Sequence, residues 1–150
     1  MTEGKKLPVN YLTVESLRSI HQVVASRWEE EGEPIPPFES ASEANLDALI
    51  KLPQSSYFSE EQYPTLESKA AIIFYTLNKK HLFTNGNKRM SVMCLSVFLL
   101  LNGRTLTVRP EELTEKAIWL AKTSHNHDFQ EIKAGLEAWI KENTAPYQIS

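Results

Sequence analysis

The chain is expected to fold as a mostly α-helical, single-domain bundle over residues 1–150, built around one central buried helix. Three observations predict it. Apolar residues recur at i, i+3, i+4 and i+7 through most of the chain, the pattern of helices with one buried face. The stretch "MSVMCLSVFLLL" (90–101) is apolar nearly all round, as a helix enclosed by other helices should be. Only "RTLTVR" (104–109) reads as a strand, and it is short. With 41% hydrophobic and 23% charged residues the composition is that of an ordinary globule. A chain of this length buries about two-thirds of its unfolded surface without staples.

The elements follow in chain order. In "YLTVESLRSIHQVVASRW" the residues Leu17, Ile20, Val24 and Trp28 share a helical face, Thr13 is placed as the N-cap, and Leu12 and Leu17 are spaced as a hydrophobic staple. "EEEGEPIPPFESAS" carries three prolines and Gly32 and is expected to be a long surface loop. "SEANLDALIKLP" gives a short helix with Leu46, Leu49 and Ile50 inward, stopped by Pro53. "QSSYFSEEQYP" has no clear period and reads as a loop or a small hairpin. Thr65 caps "LESKAAIIFYTLNKK", whose Ala70, Ile73, Phe74 and Leu77 form one apolar face. Asn102-Gly103 stops the central helix. Pro110 suits the first position of a helix through Leu113, Ala117 and Leu120, and "HDFQEIKAGLEAWIKEN" repeats the pattern with Phe129, Ile132, Leu136 and Trp139. Trp28, Trp119 and Trp139 all fall at core-facing spacing. There is no internal repeat.

Charge and composition exclude several classes of function. A net charge of −3 and a pI of about 5.8 provide no general attraction to nucleic acid, so direct nucleic-acid binding is not expected and any phosphate site must be local. The longest apolar run, 90–101, contains Ser91 and Ser96 and falls short of the roughly 20 residues that cross a bilayer. "MTEGKKLPVNYL" has no apolar run behind its lysines, so a cytoplasmic protein without a membrane segment is expected. The lone Cys94, among Met93, Leu95 and Val97, reads as a buried small hydrophobe. His125 and His127 in "SHNHDF" lack further ligands nearby and read as a polar helix start, not a metal site. His21 reads as a packed or surface histidine.

Between the two most apolar helices lies "HLFTNGNKR" (81–89), which brings a histidine, an Asn-Gly-Asn turn and two adjacent cations into the least polar part of the chain. A helix starting near Asn87 has N–H groups without intrahelical partners and a partial positive charge at that end. Gly86 lets a ligand approach the backbone closely, and Lys88 and Arg89 add two full charges. The combination suits phosphate, and a polyphosphate better than a single one. His81 is placed to act as a general base, a role worth about 10²- to 10⁴-fold in rate. Phe83 would anchor the loop in the core. Spacing alone also fits a solvated helix end with a turn glycine, although that reading needs several coincidences beside the most buried helix.

The stretch resembles the signature of the Fic/Doc family, HxFx[DE]GNxxR with variations. The similarity is greatest to the death-on-curing (Doc) branch, which has Lys-Arg after Gly-Asn, as at Lys88-Arg89, and an apolar helix ending near Asn-Gly, as at Asn102-Gly103. "LTVESLRSIHQVV" resembles the opening helix of that branch and "YPTLESKAAIIFYTLNKKH" its lead-in, so the resemblance runs from Tyr11 to Arg104. It implies a helical bundle of the Fic/Doc type with at most a small β-hairpin flap. By the same resemblance His81 would activate a hydroxyl on a target protein and Phe83 would hold the loop. Gly86, Asn87, Lys88 and Arg89 would form the anion hole for nucleotide phosphates. The implied reaction transfers part of ATP, with Mg²⁺, to a protein side chain. Fic members generally transfer AMP, whereas Doc resembles a kinase. Val92 stands where the broader Fic pattern has a second arginine, which favours phosphoryl transfer.

A second departure is Asn85, at the position where the family has the Asp or Glu that holds Mg²⁺. An amide oxygen brings no formal charge, so metal affinity should fall. Weak activity is expected; the alternative is a catalytically silent module that binds nucleotide or a partner, and a third reading is a plain structural domain. The family's inhibitory motif, [ST]xxxE[GN], has no match, since Ser56 and Glu60 are followed by Glu61. Inhibition in trans by a small antitoxin is therefore expected, as for the toxin of a toxin–antitoxin pair. Tyr57, Phe58 and Tyr63 lie where the family places a flap that aligns the target segment, and they fit ordinary loop contacts equally well.

Overall fold

The computed structural model describes residues 8–30, 35–83, 86–123 and 128–147. Among these residues the chain forms α1 (Val14–Glu30), α2 (Glu43–Lys51), a hairpin of β1 (Ser56–Tyr57) and β2 (Glu60–Glu61), and α3 (Leu66–Lys79). There follow α4 (Asn87–Leu101), β3 (Arg104–Leu106), α5 (Pro110–Lys122), α6 (Phe129–Glu142) and β4 (Thr144–Pro146). The architecture is mostly α. α3 and α4 form the innermost pair, with α6 and α5 against α3 and with α1 and α5 against α4. None of the described helices is long and apolar enough to cross a membrane.

Local chemistry starts the helices. The amide of Ser16 donates to Thr13 Oγ1 at 3.1 Å and the amide of Thr13 donates to Ser16 Oγ at 2.7 Å, while Leu12 and Leu17 are buried beneath this cap. Thr65 and Ser68 make the same reciprocal pair at 3.0 Å in each direction, satisfying N–H groups that the first turn of a helix leaves over. α5 opens on Pro110, whose missing N–H is no loss there. Ala70, Ile73, Phe74 and Leu77 of α3 meet Met90, Cys94, Leu95 and Phe98 of α4 in one buried cluster. Each fully buried Phe or Leu in it contributes about 1.5–3 kcal/mol relative to exposure. Burial pushes the Cys94 thiol up to about 12, so it remains an unreactive hydrophobe.

Several expectations are corrected. A second two-stranded ribbon exists besides the hairpin: β3 pairs antiparallel with β4, Arg104 facing Pro146 and Leu106 facing Thr144. "TAP" has no strand alternation of its own, and its pairing is imposed by a partner 40 residues away, with Arg104 Nη2 donating to Thr144 O and Oγ1. The central helix is not enclosed to its end, because Leu100 and Leu101 are exposed. Trp119 is also exposed rather than in the core; Lys116 Nζ lies 4.3 Å from its ring and 5.4 Å from that of the half-buried Trp139. The side chain of Trp28, together with His125 and His127, lies outside the described residues. α2 ends at Lys51, just before Pro53 as expected, and a separate 3₁₀ turn, Leu52–Gln54, follows with Pro53 buried in it. Within the expected long loop, Phe38–Ser40 form another 3₁₀ turn with Phe38 buried.

The C-terminal end of α4 is held by a clamp. The Asn10 amide donates to Asn102 Oδ1 at 2.8 Å, Asn102 Nδ2 donates to Asn10 O at 2.9 Å, and Asn10 Nδ2 donates to Leu101 O at 2.9 Å. The last of these bonds satisfies a carbonyl that the helix end would otherwise leave unpaired.

Candidate active site

α3 ends where Lys80 donates its amide to Thr76 O at 2.9 Å, and the chain leaves the helix at His81 with a φ of +47°. The residue after a helix is often left-handed, and glycine is its usual occupant. A histidine there is strained by about 1–2 kcal/mol, and its side chain is exposed, not packed. The preceding turn is fixed by Lys79, whose Nζ donates to Thr123 O at the end of α5, 2.7 Å away.

Phe83, two residues on, is buried against His21 and Phe38, with ring centroids 5.4 and 6.2 Å away. Its backbone is gripped by Asn87: the Phe83 amide donates to Asn87 Oδ1 at 3.0 Å and Asn87 Nδ2 donates to Phe83 O at 2.6 Å. The side chain of Asn87 thus closes the loop, and its remaining Nδ2 hydrogen and backbone N–H face the helix start.

Gly86 is the N-cap of α4 with φ +81°, and a Cβ there would meet Ile35 Cδ1 at 3.0 Å. Ile35 can give way; the backbone cannot adopt this φ cheaply with any other residue. Gly86→Ala is therefore expected to lose about 1–2 kcal/mol in urea unfolding, from the left-handed penalty. A loss below a few tenths of a kcal/mol would show that the turn re-forms at negative φ.

α4 begins at Asn87, with Lys88 and Arg89 in its first turn and no acidic residue there. Helix N-termini favour carboxylates by about 0.3–1 kcal/mol each and disfavour cations to a similar extent, so two cations in this turn act against the helix dipole. Both cations also line a groove of about 780 Å³ between α1, α4, β3 and α5, whose walls include Val23, Met93, Leu106 and Leu113 and whose rim includes Arg27. Its size is in the range of small-molecule sites. His81 is not among the residues that line it.

Sequence reasoning passed over three contributors. Ile35 covers Gly86, and Phe38 and His21 form the box that holds Phe83. Ile35 and Phe38, apolar residues in a polar loop, carried a signal, and the packed reading of His21 did not extend to its partner. Burial lowers the pKa of His21, opposed by the Glu39 carboxylate and the Pro36 carbonyl, and its Nε2 has no hydrogen-bond partner. The unfolded chain then binds the proton more readily than the folded one. The contribution of His21 to stability is complete above its ordinary value of 6.5 and declines as pH falls through that value toward the lower folded one. The melting temperature should drop over that window, and more steeply than in His21→Phe. Equal slopes in the two proteins would exclude His21 as the source.

The hairpin turns at Phe58 and Ser59, with φ of +50° and +66°, the pattern of a type I′ turn, which normally takes Asn-Gly. Tyr57 and Phe58 project into solvent, with relative exposures of 65% and 86% and ring centroids 4.4 Å apart. Tyr63 does not join them: it is buried, with Lys133 Nζ 5.2 Å from its ring, and its expected place on an exposed flap is corrected. Ser56 and Glu60 are strand residues of this hairpin rather than parts of a helix.

Asn85 lies outside the described residues. The described residues of the helix start and groove bring cations and no carboxylate, so they do not form a magnesium site of their own. Among the described residues there is likewise no group of three or more His, Cys, Asp or Glu that could hold a metal.

Two comparisons bear on this arrangement. A family described as the Fic/DOC family matches residues 11–99, which take in α1 through nearly all of α4. Over 58 residues the chain is 36% identical to a protein named Toxin Doc from Mycolicibacterium smegmatis. The match covers 39% of this chain and 45% of that relative, so it spans less than half the relative's length.

Proposed function

We propose, for a chain that belongs to the Fic/DOC family, nucleotide-dependent modification of a protein hydroxyl, with transfer of the terminal phosphoryl group of ATP favoured over transfer of AMP. The observation that carries the proposal is the pair of cations in the first turn of α4, beside a left-handed glycine and at the edge of a large groove. The first turn of α4 itself contains no acidic residue, and a triphosphate brings anionic charge to that helix end.

The roles divide as follows. The first-turn N–H groups of α4, with Lys88 and Arg89, bind the phosphates, and the left-handed Gly86 sets where that turn begins. Asn87 and Phe83 hold the loop in shape. His81 takes the proton from the target hydroxyl as its oxygen bonds to the γ-phosphorus; the bond from that phosphorus to the β,γ-bridging oxygen breaks, and ADP departs. Such transfers depend mainly on positioning and charge neutralisation, which a cradle and one base supply. Magnesium would arrive with the nucleotide, with Asn85 at the family's metal position, and would neutralise phosphate charge. Val92, half-buried in the groove, supports phosphoryl transfer, since no second arginine follows there. The exposed hairpin docks the target segment.

The similarity to a protein named Toxin Doc supports a toxin role with a small antitoxin as partner. Its docking place is the groove, where apolar walls with a cationic rim suit an amphipathic acidic segment. Asn85 supports a second reading, a module that binds nucleotide without turnover. Calorimetry with ATP and Mg²⁺ separates both readings from a structural domain, which would bind nothing. A lysate incubated with γ-labelled or α-labelled ATP separates them from each other and identifies the group transferred. Label from γ-labelled ATP alone is the expected result; label from α-labelled ATP would replace it with AMP transfer, and binding without label would leave the silent module.

A further inference from the structure

Lys69 is the largest fully buried side chain in the described core, 2% exposed near the N-terminal end of α3, and the functional reading above gives it no role. Lysine is among the residues least often buried, and a buried ammonium persists only where its protons find partners. Here Nζ donates to Pro53 O at 3.0 Å and to Glu61 Oε1 at 3.2 Å, and it lies over the Tyr11 ring, 5.6 Å from its centroid. Pro53 precedes β1 and Glu61 ends β2, so one ammonium grips both roots of the hairpin. Two further bonds close the same base: the Gln62 amide donates to Ser55 O at 3.0 Å, and Ser55 Oγ lies 2.8 Å from Gln62 Oε1. At its tip the hairpin carries two left-handed residues and two exposed rings, and two-residue strands cannot hold such a turn alone.

We propose that Lys69 is a positioning residue that fixes the hairpin, and with it the Tyr57–Phe58 pair, relative to His81 through the rigid body of α3. Ten residues of helix separate Lys69 from Lys79, about 15 Å, so hairpin and base are mounted on one rod. The proposal rests on the transferase reading for its purpose but not for its geometry. A lysine that merely fills the core would act on overall stability; a pin acts on the hairpin first.

The test compares the wild type with Lys69→Met, which keeps bulk without charge, and with Glu61→Gln, a milder change at a partly exposed partner. Amide exchange at Tyr57 and Gln62 should quicken about tenfold in Lys69→Met and less in Glu61→Gln, while amides in the middle of α4 keep their relative protection. ATP affinity by calorimetry should stay within twofold in both. Transfer from γ-labelled ATP onto lysate proteins should fall about tenfold in dilute lysate and less than twofold in concentrated lysate, because target capture is weakened and chemistry is not. Unchanged hairpin exchange in both variants would overturn the proposal, as would uniform acceleration across hairpin and α4. If the wild type transfers no label, the transferase reading fails, and the exchange measurement alone still decides whether Lys69 pins the hairpin.

Discussion

Replacing His81 with alanine is expected to lower transfer of label from ATP by about 10²- to 10⁴-fold, the range a positioned general base supplies. ATP binding should be retained, because the cradle lies on α4 and His81 does not line the groove. Replacement with glycine should remove transfer to the same extent and make the protein more stable. The reason is the φ of +47°: a histidine is strained in that region and a glycine is not. Relief of about 1 kcal/mol corresponds to roughly 2–4 °C in melting temperature for a domain of this size. Alanine keeps the strain and should give no such rise. A fully active His81→Ala would remove the histidine from the chemistry, and a His81→Gly protein that melts lower would show that the side chain contributes contacts outweighing its backbone strain.

The second large effect is on stability. Phe83→Ala should lose about 3–5 kcal/mol in denaturant unfolding, the usual result of emptying a buried aromatic site. Since a domain is stable by only about 5–15 kcal/mol, this is a substantial fraction of the whole. Phe83 joins the loop to the core twice, through its ring against His21 and Phe38 and through its backbone to Asn87. The variant should therefore lose ATP affinity even where it remains folded, because the loop that shapes the start of α4 has come off its anchor. Phe83→Leu, which refills most of the volume, should recover most of both. A loss under about 1 kcal/mol in Phe83→Ala would mean that the loop is held by Asn87 alone.

Much of the helical framework was legible because helix formation is written locally. Thr13, Thr65 and Pro110 mark starts by chemistry that acts within one turn, and Ala70, Ile73, Phe74 and Leu77 mark a buried face by spacing alone. The candidate site was legible in position for the same reason, since His81 to Arg89 lie on one short connection. Its internal bonding was not. Asn87 looked like a phosphate ligand, yet its side chain bonds to the backbone of Phe83, a choice that depends on how the loop folds back. Tyr63 looked equivalent to Tyr57 and Phe58, but only the hairpin turn decides which of the three faces the core.

By itself, then, the order of residues determined the helices, their caps, the family and the local gathering of a histidine, a glycine and two cations. The fold in three dimensions decided everything that needs a distant partner. It placed Asn10 on Asn102, 92 residues away, set Ile35 over Gly86, and put His21 and Phe38 beneath Phe83. It joined β3 to β4 and aimed the ammonium of Lys69 at both roots of the hairpin. The physical reason is range. Caps and periodicity act within a few residues along the chain, whereas burial and long-range hydrogen bonds are fixed only when elements far apart in sequence compete for the same space and one arrangement leaves fewest polar groups unpaired.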